Sequence, residues 1–221
     1  MRTWRQCAED YLKELWCAVD RQFVKDFSGE ITCENLHRLC CQYSVARTIP
    51  GRIEELGLEK YKPFVELLNK HRGATVSHTN VSNIVEDEAA ALRRAYKTKT
   101  PWSALTKALW MMKQHPVVIY DNYAWHGLRR NGFAPGYDGY REYFNAWFAF
   151  FDRVETQRAL DDACTWLPES PVVQELLKTG RIDPPELTSL AASQSFRNRV
   201  TDMRLCSEGG ADWFGSPNKC Q

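Results

Sequence analysis

Pro101-Trp102-Ser103-Ala104-Leu105, followed by Val117-Val118-Ile119-Tyr120-Asp121-Asn122-Tyr123-Ala124-Trp125-His126, has the pattern of two helices separated by a break and a short apolar run. Pro101 suits a first helical position and Thr100 its cap, because proline lacks the N–H that a first turn leaves unused. The helix runs through Lys113 and buries Leu105, Ala108, Leu109 and Met112. His115-Pro116 breaks it. Val117 to Tyr120 is a short apolar run and the one strand candidate in the chain. Asp121 then opens a second helix that reaches about Arg130 and stops at Asn131-Gly132.

Helical spacing extends in both directions from this stretch. Trp4, Cys7, Ala8, Tyr11, Leu12, Leu15, Trp16, Val19 and Phe23 recur on one face, so a long amphipathic helix precedes Phe27-Ser28-Gly29. Thr32 caps a helix through Cys41, buried by Leu36, Leu39 and Cys40. Thr48 to Gly51 is a turn, and a helix from Pro63 to His71 points Phe64, Leu67 and Leu68 inward before Arg72-Gly73-Ala74 stops it. His78 to Asn83 reads as a loop. Ile84 to Tyr96 is helical, with acidic residues early and Arg93-Arg94 late, as the helix dipole favours. Gly136 to Gly139 is a turn, and Tyr140 to Phe151 an aromatic helix. Val154 to Trp166, Val172 to Lys178 and Pro185 to Val200 complete the set, and the composition from Ser207 onward is loop-like. The expected class is all-α, an irregular helical globule rather than an up-and-down bundle. Residues 1–206 form one domain, or two small lobes around a cleft, and 207–221 a C-terminal tail.

The 221 residues are 43% hydrophobic and 12% aromatic, enough for a substantial core and unlike a disordered chain. A net charge of +1 excludes a protein that is basic all over but leaves room for a local phosphate-binding patch. The eight cysteines contain no CxxC pair and follow a charged, amphipathic N-terminus without a signal-peptide pattern. They read as free thiols of a reducing cytoplasm, mostly small buried groups, with no metal site. No apolar run approaches the ~20 residues that cross a bilayer.

Asp121 has two readings. As an ordinary N-cap its carboxylate accepts backbone N–H bonds. As a catalytic group it would stabilise positive charge on a sugar during N-glycosidic cleavage and orient or deprotonate an attacking water. Trp102, Tyr120 and Trp125, with Tyr140, Tyr143, Phe144 and Trp147, are either core or the lining of an aromatic base pocket; Trp102 and Tyr120 are the ones expected nearest it. Arg93, Arg94, Lys97, Lys99 and Lys107 cluster around residues 97–100, as a solvated helix end or a phosphate-positioning surface. Arg47 and Arg52 flank a second basic turn, better read as plain surface. His126 is a phosphate contact or a surface histidine.

From Lys97 to Arg130 the chain resembles the helix-hairpin-helix DNA glycosylases. That family places a hairpin, a helix, an apolar turn and then a catalytic aspartate opening the next helix. Pro101-Trp102-Ser103-Ala104 is similar to the Pro-Trp-Thr-Ala start of the alkyl-base-removing members, and Asp121 to His126 to the Asp-x-x-x-Trp-His of the oxoguanine type. Trp102 stands nineteen residues before Asp121, where bifunctional members carry a lysine. The resemblance thus implies a monofunctional, cofactor-free, cytoplasmic and monomeric enzyme acting on double-stranded DNA with a modified base, without lyase activity. Asp121 would be catalytic; Trp102, Tyr120 and Trp125 would form the base pocket; Lys97, Lys99, Thr100, Lys107 and His126 would contact DNA. The family usually carries Gly-x-Gly in the hairpin, whereas this chain has Lys97-Thr98-Lys99-Thr100, so contact there is either lost or made by side chains. Cys206 and Cys220 alone cannot supply the iron–sulfur cluster of some members. Repair and defence against phage with modified DNA are both compatible, and a non-catalytic helical DNA-binding or protein-interaction protein is the alternative.

Overall fold

The computed structural model describes residues 1–97, 100–136 and 139–211. Among these residues all regular structure is helical. The chain begins with α1 (Trp4–Asp10), a π-helical stretch (Tyr11–Asp20), α2 (Arg21–Ser28) and α3 (Cys33–Gln42). Then come α4 (Ile53–Leu56), α5 (Lys62–His71), α6 (Val81–Tyr96) and α7 (Trp102–Lys113). The second half holds α8 (Asn122–Arg130), α9 (Tyr140–Phe151), α10 (Val154–Trp166), α11 (Pro171–Lys178), α12 (Pro184–Ala192) and α13 (Gln194–Gly209). No helix among the described residues is long and apolar enough to cross a membrane. The contacts divide the chain into two compact units, one from 1–21, 121–138 and 142–213, the other mainly from 22–120 with 139–141.

In the first unit α8 lies on α13, the most extensive helix pair of the chain. Tyr123 faces Gly209 and Gly127 faces Leu205, so the two helices run antiparallel. α13 is longer than its sequence pattern indicates. The expected helix from Pro185 to Val200 is broken at Ser193, whose Oγ accepts the Phe196 N–H at 3.1 Å and caps a new helix. That helix continues to Gly209, so Ser207 to Gly209 are its last turn rather than the start of a tail, and Gly210 closes it at φ 98°. The π-helical stretch was not legible in the apolar spacing. Its wider turn shifts the inward face, leaving Leu15, Trp16 and Val19 half-buried and Asp20 fully buried.

In the second unit Thr32 and Asn35 form a reciprocal cap on α3, as its sequence suggests. Two corrections concern the deciding stretch. Thr100 does not cap α7: Pro101 is the cap residue, no side chain closes the turn, and Trp102 is the first helical residue. Val117 to Tyr120 has no regular structure and pairs with no strand among the described residues. Side chains satisfy its backbone instead. The Tyr140 hydroxyl accepts from Val118 N–H at 3.0 Å and donates to Val118 C=O at 2.9 Å, while Thr106 Oγ1 accepts Tyr120 N–H at 2.8 Å. α6 starts at Val81, earlier than expected, because Asn80 and Ser77 organise the preceding turn. α4 and the 3-10 turn Gly57–Tyr61 were not foreseen.

Glu88 on α6 is 3% exposed and meets His71 Nε2 at 2.6 Å, while its Oε2 has no hydrogen-bond partner among the described residues. Burial pushes the Glu88 carboxyl up to about 7, and burial holds His71 below the ordinary imidazole value, with Lys70 and Lys113 adding to it. A carboxyl raised on folding stabilises the fold below the usual carboxylate range and loses that contribution as pH rises through about 7. His71 acts oppositely, favouring the fold above its ordinary value. Glu88→Gln is therefore expected to gain on the wild type between about pH 4.5 and about pH 7 and to hold a constant lead above it, read by urea unfolding at each pH. A difference that stays constant through that window would contradict this.

Candidate active site at Asp121

Asp121 begins α8 in extended conformation, φ −135° and ψ 136°. Its Oδ1 accepts the Tyr123 N–H at 2.9 Å, and its carbonyl accepts the Trp125 N–H at 2.9 Å. These bonds make it a working N-cap, a role that by itself accounts for an aspartate here. The side chain remains partly exposed. The Cys206 thiol on α13 also donates to Oδ1, at 3.7 Å. The carboxylate is thus held from its own helix and from the helix packed against it.

Behind Asp121 lies a buried charged group that periodicity did not predict. Arg199 is 1% exposed, 3.2 Å from Asp202 and 3.7 Å from Asp20, and its guanidinium lies 5.4 Å from the Tyr11 ring centre. Trp147 Nε1–H donates to Asp202 Oδ1 at 2.8 Å. Burial pushes the Asp202 carboxyl up to about 6; Arg199 and the Trp147 hydrogen bond pull the other way, and the charge of Asp121 adds to the upward push. The charge of Asp121 on α8 thus reaches Asp202 on α13 and disfavours a second negative charge there.

The α8–α13 contact fixes this arrangement because two glycines let the backbones meet. A Cβ on Gly127 would stand 2.7 Å from the Leu205 carbonyl carbon and closer still to its oxygen; one on Gly209 would meet the Tyr123 carbonyl in the same way. Neither glycine was singled out by its sequence context.

Trp125 is buried in the first unit, where its indole N–H donates to the Pro135 carbonyl at 3.1 Å and the Arg129 guanidinium covers its ring at 4.8 Å. It is a packed side chain there, already bonded at its polar edge. His126 is exposed and edge-on to Trp125 at 4.9 Å. With Asn122, Tyr123, Arg129 and Arg130 it makes the solvent face of α8, and Tyr123 is 49% exposed.

The remaining candidates belong to the second unit. Trp102 stacks on Tyr140 at 6.4 Å and 16° and leans on Tyr120 at 6.2 Å. Lys107, expected at a phosphate or in solvent, is corrected: it is 3% exposed, its Nζ donates to Ser103 Oγ at 2.7 Å, and it lies 5.7 Å from the Tyr43 ring. α7 is buried continuously from Ala104 to Met111, and Lys107 lies within that stretch. Lys97 is exposed in left-handed conformation at φ 52°, ending α6; Thr100 is half-buried; Lys99 lies outside the described residues. No group of three or more His, Cys, Asp or Glu able to hold a metal occurs among the described residues.

The fold and this site define an all-helical protein with a capping carboxylate backed by a buried ionic cluster. No family model, curated protein or solved structure matches the chain.

Proposed function

We propose that the protein is a monofunctional DNA glycosylase that uses Asp121 to hydrolyse the N-glycosidic bond of a flipped, modified base. The observation that carries the reading is the carboxylate itself. It is partly exposed, opens a helix after a buried apolar connection, and follows a helix that starts at Trp102, capped by Pro101. In the reaction water oxygen bonds to the sugar C1′ while the C1′–N bond breaks. The base leaves with the bonding electrons and takes up a proton, and the water loses one, leaving an abasic sugar. Asp121 faces the positive charge that builds on the sugar and holds the attacking water. No protein nucleophile is needed, since position 102 is tryptophan and the nearby Lys107 is buried on Ser103. The exposed His126, Arg129 and Arg130 of α8 are the candidate phosphate contacts.

A non-catalytic helical DNA-binding or protein-interaction role is the second reading. It is favoured by the mutual packing of Trp102, Tyr120 and Tyr140 and by the capping bonds that already occupy Asp121. Incubation with DNA carrying varied base modifications, scored by an aldehyde-reactive probe, separates the two. The glycosylase reading expects labelling that falls about 10²–10⁴-fold in rate in Asp121→Asn. Salt-sensitive binding without labelling establishes the second reading.

A further inference from the structure

A cavity of about 230 Å³ opens in the first unit where the start of α10 meets the C-terminal ends of α8 and α13. Phe150 and Thr156, 4% and 3% exposed, belong to its wall, and Trp4 joins them, stacked on Phe150 at 6.4 Å and 16°. Arg153, Arg204 and Glu208 bring charge to the same wall.

The polar groups here divide into those already engaged and those still open. Glu208 is engaged at both oxygens: one accepts from Arg204 Nη2 at 2.6 Å and the other from Asn131 Nδ2. Arg204 is held in turn by Glu208 and by the Arg2 carbonyl. Glu155, which also lines the cavity, is exposed, so water screens its charge. Arg153 differs from these. It is half-buried, its guanidinium lies 4.4 Å from the Phe133 ring centre, and Nη2 donates to the Asn131 carbonyl at 3.2 Å, yet it pairs with no carboxylate among the described residues. A guanidinium carries five donors, so most of its capacity is open.

Arg153 is also the cap residue of α10 and makes no side-chain bond to the first turn. The N–H groups of that turn have no acceptor within the helix and form the positive end of its dipole. In the same turn the Thr156 hydroxyl makes no hydrogen bond among the described residues, although the residue is almost wholly buried. Buried hydroxyls are ordinarily bonded. Each open group can donate, and together they call for a ligand with negative charge and several acceptor oxygens.

We propose that this cavity binds a phosphate group, held by the first-turn N–H groups of α10, the Thr156 hydroxyl and the Arg153 guanidinium. Three separate donor groups suit the oxygens of phosphate better than the two of a carboxylate. Free phosphate and a phosphate ester, such as a DNA backbone, present the same oxygens to these donors. The site stands apart from the glycosylase reading, since inorganic phosphate alone is its probe.

Calorimetric titration of the full chain with inorganic phosphate, against chloride at equal ionic strength, is the test. One saturable equivalent is expected, about tenfold weaker in Arg153→Gln and several-fold weaker in Thr156→Val, which keeps the side-chain volume. The wild type gives a reading that no substitution can disturb. The ¹⁵N amide signals of Val154, Glu155 and Thr156 should shift on phosphate addition, while those of Val172 and Val173 in α11, whose first turn Ser170 caps, should not. Displacement of bound phosphate by a short DNA duplex assigns the ester as the natural source, and retention assigns the free ion. No saturation by about 10 mM phosphate, equal affinity in the wild type and both variants, or equal shifts at α10 and α11 would overturn the site.

Discussion

Arg199→Met is expected to destabilise the protein by about 3–5 kcal/mol, since it strands buried carboxylates without their cation. Arg199, Asp20 and Asp202 are 1%, 0% and 4% exposed, so water cannot replace the lost partner. Asp202 would keep the Trp147 hydrogen bond, but Asp20, 3.7 Å from the guanidinium, would lose its opposing charge. The variant should also shift its unfolding profile with pH, because the Asp202 carboxyl loses the cation that pulls it down and favours its protonated form more strongly. Adding Asp202→Asn should restore part of the loss, because the pair shares a network and the effects do not add. Urea unfolding of the two single variants and the double variant measures this. A loss under about 1 kcal/mol for Arg199→Met, the level of an exposed ion pair, would contradict the description of the cluster.

Gly127→Ala and Gly209→Ala form the second large expectation. In an isolated helix the exchange gains up to ~1 kcal/mol from propensity. Here the new methyl meets backbone, not a side chain that can turn away, and one helix must move off the other. Overpacking of this kind costs about 1–3 kcal/mol, which exceeds the propensity gain at its upper range. Gly73→Ala, in the turn after α5, is the control for the added methyl alone, since a Cβ there meets nothing within 4 Å. Chemical denaturation should rank both α8–α13 variants well below this control. Because Asp121 is braced by Cys206 across the same contact, the two variants should also disturb the carboxylate more than their stability loss alone implies. Equal stability of all three would show that α8 and α13 meet less closely than described.

Much of the helical framework was legible because apolar spacing and caps agree. Tyr140–Phe151 and Val154–Trp166 occur as the spacing places them, and Thr32 caps α3. Asp121 as a helix-opening residue followed from its position between an apolar run and a new helix. What escaped has identifiable causes. Ser193 breaks a pattern that is periodic on both sides, so spacing alone joined α12 to α13. The π-helical stretch changes the period itself, burying Asp20 where a 3.6-residue period favours Val19. Asp20 does follow Trp16 by four residues and precede Phe23 by three, so a charge standing in the apolar stripe was a visible sign of a buried partner. Arg199, between Phe196 and Met203 on α13, carries the same sign. Lys107 was misplaced because a lysine is ordinarily read as solvent-facing, whereas α7 is enclosed and Ser103 supplies a local acceptor. The Val117–Tyr120 run has strand composition but is satisfied by Tyr140 and Thr106, a substitution that only three-dimensional placement reveals.

The glycosylase assignment to Asp121 is tested most directly by base release from modified DNA under single-turnover conditions, wild type beside Asp121→Asn. Asparagine keeps an oxygen that can accept the Tyr123 N–H, so the cap and the fold are retained while the negative charge is removed. Abasic sites are expected with the wild type, with a rate about 10²–10⁴-fold lower for Asp121→Asn and undiminished DNA binding by the variant. Release at the same rate by both proteins, or by neither across DNA that both bind, would contradict it.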